Sequence, residues 1–163
     1  MRSEDAWPNG MAVAQVRVAR PTDKLEEVVR FYGDGLGLIQ IGSFHGHAGY
    51  DGVMFGLPGR DCHLEFTAVS AGAGSQGLVD GDEVSTACDS GRATIGDKFA
   101  APSKDNLLVL YLPDRAAIDR IAEKLVALGY PAVEPENPYW AERGVTIEDP
   151  DGWRVVLMNT AGI

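Results

Sequence analysis

The first regular pattern in the chain is VAQVRVA at residues 13–19. Ala14, Val16 and Val18 fall on one side of an extended strand there, and Val13, Gln15 and Arg17 on the other. RPTD interrupts the alternation. Asp23 then reads as a helix N-cap with Glu26 three residues on. Leu25, Val28, Val29 and Tyr32 recur at helical spacing, and Gly33, Gly35 and Gly37 close that helix. Three strands follow: LIQIG at 38–42, VMFGL at 53–57 and CHLEFTAV at 62–69. FHGHAGYDG reads as a mobile glycine-rich connection between the first two, and PGRD as the turn before the third. Residues 70–104 carry few large apolar side chains and read as a long, mobile linker.

The same order then recurs. NLLVLYL at 106–112 is a strand. A helix starts at Asp114, with Ile118, Ile121, Ala122, Leu125 and Leu128 as its apolar face, and Gly129 ends it. YPAVE, VTIED and WRVVLMN are three more strands, with ENPYWAERG and PDG between them. LeuGlyLeu at 36–38 answers LeuGlyTyr at 128–130, and GVMFGLPG at 52–59 answers GVTIEDPDG at 144–152. Such a duplication predicts an α+β fold: two tandem βαβββ modules forming a curved mixed sheet around a cleft. The modules span about 11–69 and 105–160 within one domain, behind a flexible tail at 1–10. The linker leaves open whether the modules pair within a chain or swap between chains.

Charge narrows the partners. The 163 residues carry a formal net charge of −10, which disfavours nucleic acid. No apolar run reaches the ~18 residues of a membrane span, and MRSEDAWPNG has no apolar signal core. A cytoplasmic protein is expected. Cys62 and Cys88 have no metal-type spacing and suggest no disulfide. There is no phosphate loop, dinucleotide fingerprint or nucleophile elbow.

The residue that raises a chemical question is Glu65. It lies mid-strand in DCHLEFT, opposite in facing to Leu64 and Phe66 and on one side with His63 and Thr67. An ionised carboxylate needs a partner or water there. The duplication supplies a cleft for it to face. Gln15, Arg17, Met54, His63, Tyr111 and Arg154 are predicted to line that cleft, with the aromatic pair Tyr139–Trp140 as a wall and Thr146 on its floor. Arg17 could neutralise Glu65 or bind an anionic group, and His63 could pair with Glu65.

Phe31-Tyr32 before Leu36-Gly37-Leu38, His63-Leu64-Glu65-Phe66, and Asp149-Pro150-Asp151-Gly152 together resemble the vicinal oxygen chelate superfamily: glyoxalase I, bleomycin resistance proteins and extradiol dioxygenases. The resemblance covers nearly the whole chain outside the tail and linker. It implies the fold, a homodimer, and four cleft-facing metal-ligand positions on the first and last strand of each module. Glu65 stands at the fourth-strand position, whereas the others fall on Val13 (or Gln15), Leu107 and Val156. The reading is therefore a protein that binds a small, partly apolar molecule in the cleft with no metal cofactor expected. The alternative is a metal-dependent lyase, isomerase or dioxygenase using Glu65, with His63, His45 or His47 as further ligands. A third reading is an interaction module with a filled cleft.

Overall fold

The computed structural model describes residues 11–72 and 98–162. The expected tail at 1–10 and most of the expected linker, including Cys88, lie outside the described residues. Two βαβββ modules are present. The first consists of β1 (Val16–Pro21), α1 (Leu25–Val29), a π-helical turn (Arg30–Gly35), β2 (Ile39–His47), β3 (Tyr50–Gly56) and β4 (Cys62–Val69). The second consists of β5 (Leu107–Tyr111), α2 (Arg115–Ala127), β6 (Ala132–Val133), a 3₁₀ turn (Pro138–Trp140), β7 (Gly144–Glu148) and β8 (Arg154–Met158). Each module is one four-stranded sheet, ordered β1-β4-β3-β2 and β5-β8-β7-β6. β1 runs parallel to β4, and β5 parallel to β8; the remaining pairs are antiparallel.

Alternation decides the two faces of each sheet. Leu64 and Phe66 of β4 and Val53 and Phe55 of β3 pack with Val28, Phe31 and Tyr32. Val155 and Leu157 of β8 and Ile147 of β7 pack with Ile118 and Leu125 of α2. These residues form one continuous apolar cluster, so the modules share a core on their helical sides. Gly35 lets them meet closely: a Cβ there would collide with Leu125 Cδ2. The π-helical turn, closed by Leu36 N–H donating to Phe31 O at 2.9 Å, keeps Phe31, Tyr32 and Gly35 all inward.

Three local expectations are corrected. The N-cap of α1 is Lys24, not Asp23, and Lys24 makes no side-chain cap. Thr22 Oγ1 instead accepts the Lys24 N–H at 2.9 Å. FHGHAGYDG does form the expected hairpin, but most of it is strand rather than loop. β2 runs through Phe44 and His45 to His47, and His47 pairs with Tyr50 across a two-residue turn at Ala48 and Gly49, both at positive φ (51° and 85°). Composition misled here because a hairpin of small residues looks like a loop. Finally, β1 begins at Val16, so Val13 and Gln15 precede the strand and are exposed.

Candidate ligand-binding site

The pairing registers fix which residues of the two modules correspond. Thr22 N–H donates to Thr67 O beyond β1, and Leu112 N–H donates to Met158 O beyond β5. Ala19 lies beside Glu65 as Val109 lies beside Val156, and Arg17 beside His63 as Leu107 beside Arg154. The counterpart of Leu107 is therefore Arg17, not Val13 or Gln15. The RPT stretch is no insertion: Thr22 stands to the N-cap Lys24 as Leu112 stands to the N-cap Asp114.

Arg17, His63, Glu65 and Met54 come together on the non-helical face of the first sheet, with Met54 level with Glu65 on β3. Arg17 Nη1 donates to Glu65 Oε2 at 3.1 Å and Arg17 Nε donates to His63 Nε2 at 2.8 Å. Glu65 retains only 9% of its exposure and His63 only 4%, whereas the Arg17 side chain is 51% exposed. The carboxylate in the apolar strand is thus explained: it is buried against a cation that reaches in from the sheet edge. His63 and Glu65 are each held by Arg17 and share no hydrogen bond with one another. An arginine is a donor only, so His63 Nε2 must present its lone pair and the imidazole proton sits on Nδ1. That Nδ1 is buried and has no hydrogen-bond partner among the described residues. The neighbouring surface is apolar. The Phe44 ring lies over Gly52, and Met54 Cε sits 2.9 Å from where a Gly42 Cβ would be.

The remaining predicted site residues do not join this group. Arg154 is turned into its own module, donating through Nε and Nη2 to Glu148 Oε1 (3.1 and 3.0 Å) and through Nη1 to Glu134 O (3.1 Å). Tyr139 and Trp140 stack edge-to-face at 4.9 Å, and the Trp140 backbone covers Gly144 beside Val156 and Met158. Thr146 is buried opposite Val156 with its hydroxyl unpartnered among the described residues. Tyr111 lines a groove of about 670 Å³ between the modules, with Leu36, Leu38, Leu57, Arg60 and Leu112. None of the other predicted site residues lines that groove. The Arg17 face differs from this groove in gathering four of the predicted residues around one buried carboxylate, as an open half-site that needs an opposing wall before it encloses volume. His45 approaches Asp51 at 3.9 Å and His47 stacks near Phe44 at 6.0 Å, so neither reaches Glu65. Gly46 N–H and the Ser70 hydroxyl both donate to Asp51, which holds its carboxyl below the ordinary aspartate range.

One buried polar system escaped the sequence reading, although its two ends had been noted as motifs. Tyr32 OH donates to Asp149 Oδ2 at 2.7 Å, and Asp149 Oδ1 accepts the N–H groups of Asp151 and Trp153 at 2.9 and 2.8 Å. Lys24 Nζ donates to Pro150 O at 2.8 Å, and the Arg20 guanidinium lies 4.2 Å from the Trp153 ring centroid. The FY and DPDG motifs are thus bonded to each other across the two modules. Burial raises the Asp149 carboxyl above the ordinary range against its hydrogen bonds, and burial beside Asp149 raises the Tyr32 phenol well above its usual value. A phenol on the apolar face of a helix was the available signal for a buried acceptor elsewhere.

A family model, the YycE-like N-terminal domain, matches residues 16–67, and the YycE-like C-terminal domain matches residues 105–159. The chain belongs to the YycE-like family. YycE of Bacillus subtilis (strain 168), an uncharacterized protein, is 49% identical over 150 residues, covering 92% of this chain and 91% of its own. A crystal structure of a YycE protein of unknown function from Bacillus subtilis superposes with a TM-score of 0.70 at 46% identity, covering 92% of each chain. More distant relatives share the fold. The fosfomycin resistance protein FosX of Listeria monocytogenes, with Mn(II) and 1S,2S-dihydroxypropylphosphonic acid, has a TM-score of 0.54 at 14% identity over 92% of this chain and 93% of its own. TnmS3, an antibiotic binding protein from Streptomyces sp. CB03234, has a TM-score of 0.54 at 18% identity over 91% of this chain and 97% of its own. The fold is that of the vicinal oxygen chelate superfamily, as the sequence resemblance implied.

A divalent ion does not fit the YycE-like site as built. Its two candidate donors, His63 Nε2 and Glu65 Oε2, are already engaged by the Arg17 guanidinium. The corresponding positions of the second module are Leu107 and Val156. Among the described residues no three His, Cys, Asp or Glu side chains converge as a metal would need. No helix of the described residues is long and apolar enough to cross a membrane.

Proposed function

We propose that this YycE-like protein binds a small, partly apolar molecule on the Arg17–His63–Glu65 face, without a metal ion. The observation that carries the reading is the buried Glu65 carboxylate, held by an arginine whose side chain stays half exposed. Met54 and Phe44 supply the adjoining apolar wall. A few oriented polar groups beside apolar surface are what a small-molecule site requires. The antibiotic-binding TnmS3 shares this fold, which is compatible with a binding role but does not name the ligand.

The same reading includes a homodimer. Among the described residues nothing pairs with the outer edge of β1 or of β5. β1 leaves Val16 47% and Val18 38% exposed. Unpaired edges with exposed valines invite a second copy. Such a copy would set its second module against the Arg17 face and supply the missing wall.

The test is a thermal-shift panel including fosfomycin and bleomycin, run in the presence of EDTA on native protein and on Glu65→Gln. The expected result is a saturable rise in Tm for at least one compound, lost in the variant. Stabilisation that requires an added divalent ion, or that persists in Glu65→Gln, contradicts the reading. Sedimentation equilibrium of native protein and Val18→Lys checks the dimer, with the variant expected to shift towards monomer.

A further inference from the structure

We infer that the groove between the modules is a second ligand site, and that it takes a small aliphatic monocarboxylic acid. The inference goes beyond the reading above, since the groove shares no residue with the Arg17 face. Its walls come from motifs which that face leaves unused. One wall is Leu36 and Leu38 of the Leu-Gly-Leu motif, with Leu57 and Arg60 of the turn before β4. The other is the end of β5, with Ile121 of α2 and Leu157 of β8. Backbone bonds hold the first wall in place. Leu36 N–H and Leu38 N–H donate to Phe31 O and Tyr32 O at 2.9 and 3.0 Å. Leu57 N–H donates to Cys62 O at 3.0 Å and Arg60 N–H to Leu57 O at 3.1 Å, with Gly59 at a positive φ of 72°. A ligand therefore meets a preformed surface and orders little chain on binding. The volume of about 670 Å³ lies within the range of about 300–1,000 Å³ usual for small-molecule sites.

The lining sets the chemistry of the ligand. Leu57, Val109, Leu110, Leu112 and Ile121 stay only half-buried in the folded chain, so both modules leave apolar surface along the groove. Apart from the Tyr111 ring, the large apolar side chains of the lining are aliphatic, which favours a flexible hydrocarbon body. The charged group is Arg60. It is exposed and makes no ion pair among the described residues. No described carboxylate lines the groove, so its local charge is positive in a chain of net charge −10. A guanidinium on an apolar wall suits a carboxylate, which it holds through two parallel N–H bonds. The Tyr111 hydroxyl, with no hydrogen bond among the described residues, is a second donor. One arginine offsets one negative charge, so a monocarboxylate fits where a phosphate or a dicarboxylate would bring charge left unpaired beside apolar surface.

The test titrates the full chain, with labelled leucine, valine and isoleucine methyl groups, with hexanoate, octanoate, octanol and octylammonium, each below its micellar concentration. Native protein, Arg60→Gln, Ala161→Trp and Glu65→Gln are compared by methyl NMR, and their oligomeric state is followed by sedimentation equilibrium. Octanoate is expected to shift the Leu57, Leu112 and Ile121 methyl signals saturably. It should bind roughly tenfold more tightly than hexanoate, since each buried CH₂ group contributes about fourfold in Kd. Arg60→Gln is expected to weaken octanoate about tenfold and to leave octanol unchanged. Ala161→Trp adds bulk at an exposed lining position and is expected to abolish binding of the acid. Glu65→Gln should leave octanoate binding as it is, which separates this inference from the proposed function. The absence of saturable shifts at the groove methyls overturns the inference. So does octylammonium binding as tightly as octanoate, or octanoate binding that ignores Arg60→Gln or is lost in Glu65→Gln. If no acid binds and Ala161→Trp moves the protein towards monomer, a second copy of the chain covers the groove and the inference fails.

Discussion

The two modules share one architecture and have opposite chemistry on their non-helical faces. In the first, Arg17 of β1 reaches His63 and Glu65 of β4 and remains half exposed. In the second, the residues at the same places are Leu107, Arg154 and Val156. The second module also has an arginine, but Arg154 is spent on Glu148 and the Glu134 carbonyl under the cover of residues 134–140. Duplication therefore preserved the frame while polar chemistry stayed in one copy. An arginine on the right strand is not by itself a site: Arg17 fixes two buried groups and still faces outward, whereas Arg154 fastens its own module.

That contrast can be broken by substitution, beginning with the largest effect. Arg154→Ala removes a buried side chain and its charge-assisted hydrogen bonds, and is expected to cost about 3 kcal/mol in denaturant unfolding with no change in metal behaviour. Tyr32→Phe deprives Asp149 of a buried donor, at a cost of about 2 kcal/mol. This second effect has a defined pH dependence. Asp149 already has a raised folded-state pKa, so native stability falls as pH rises from the ordinary aspartate value of about 3.9 through the raised value. Without the Tyr32 hydroxyl the carboxyl rises further. The penalty of Tyr32→Phe should then be larger at neutral pH than below about pH 4, where Asp149 is protonated in both proteins. Arg17→Met is expected to cost about 1 kcal/mol, because the arginine is half exposed and solvent screens its bonds to the buried Glu65 and His63. Glu65→Gln should change stability least, by less than about 1 kcal/mol, since the amide still accepts from Arg17. If Arg17→Met proved costlier than Arg154→Ala, the assignment of the two arginines would be reversed.

Much of the fold was legible. Short apolar runs between turn signals marked the strands that become β3, β4, β7 and β8, and the recurrence of order and turn chemistry revealed two βαβββ modules. Asp114 does cap α2, accepting from Ala116 N–H at 2.9 Å. Three things were not legible, for different reasons. The segment 44–47 reads as part of a loop because it carries no hydrophobic period, yet β2 runs on to His47, which pairs with Tyr50. The register of β1 was not legible because Asp23 reads as the N-cap answering Asp114, which creates an apparent insertion at RPT; the cap at Lys24 and the pairing with β4 remove it. The tie between Tyr32 and Asp149 spans the modules, and no local pattern encodes so distant a contact. In the candidate site, the shared face was legible and the assembly was not. Arg17, His63, Glu65 and Met54 gather, while Tyr111, Tyr139, Trp140 and Arg154 go elsewhere. Faces follow from alternation, but whether two faces meet depends on how whole modules pack.

The central claim is that an arginine, not a metal ion, holds Glu65 and His63. The most direct measurement is long-range ¹H–¹⁵N NMR of the His63 imidazole together with the Arg17 Nε–H resonance, in metal-free buffer and again with Zn(II). The account predicts a neutral His63 with its proton on Nδ1, Nε2 hydrogen-bonded to a slowly exchanging Arg17 Nε–H, and no change on adding Zn(II). A proton on Nε2, or displacement of the Arg17 bond by the metal, contradicts it.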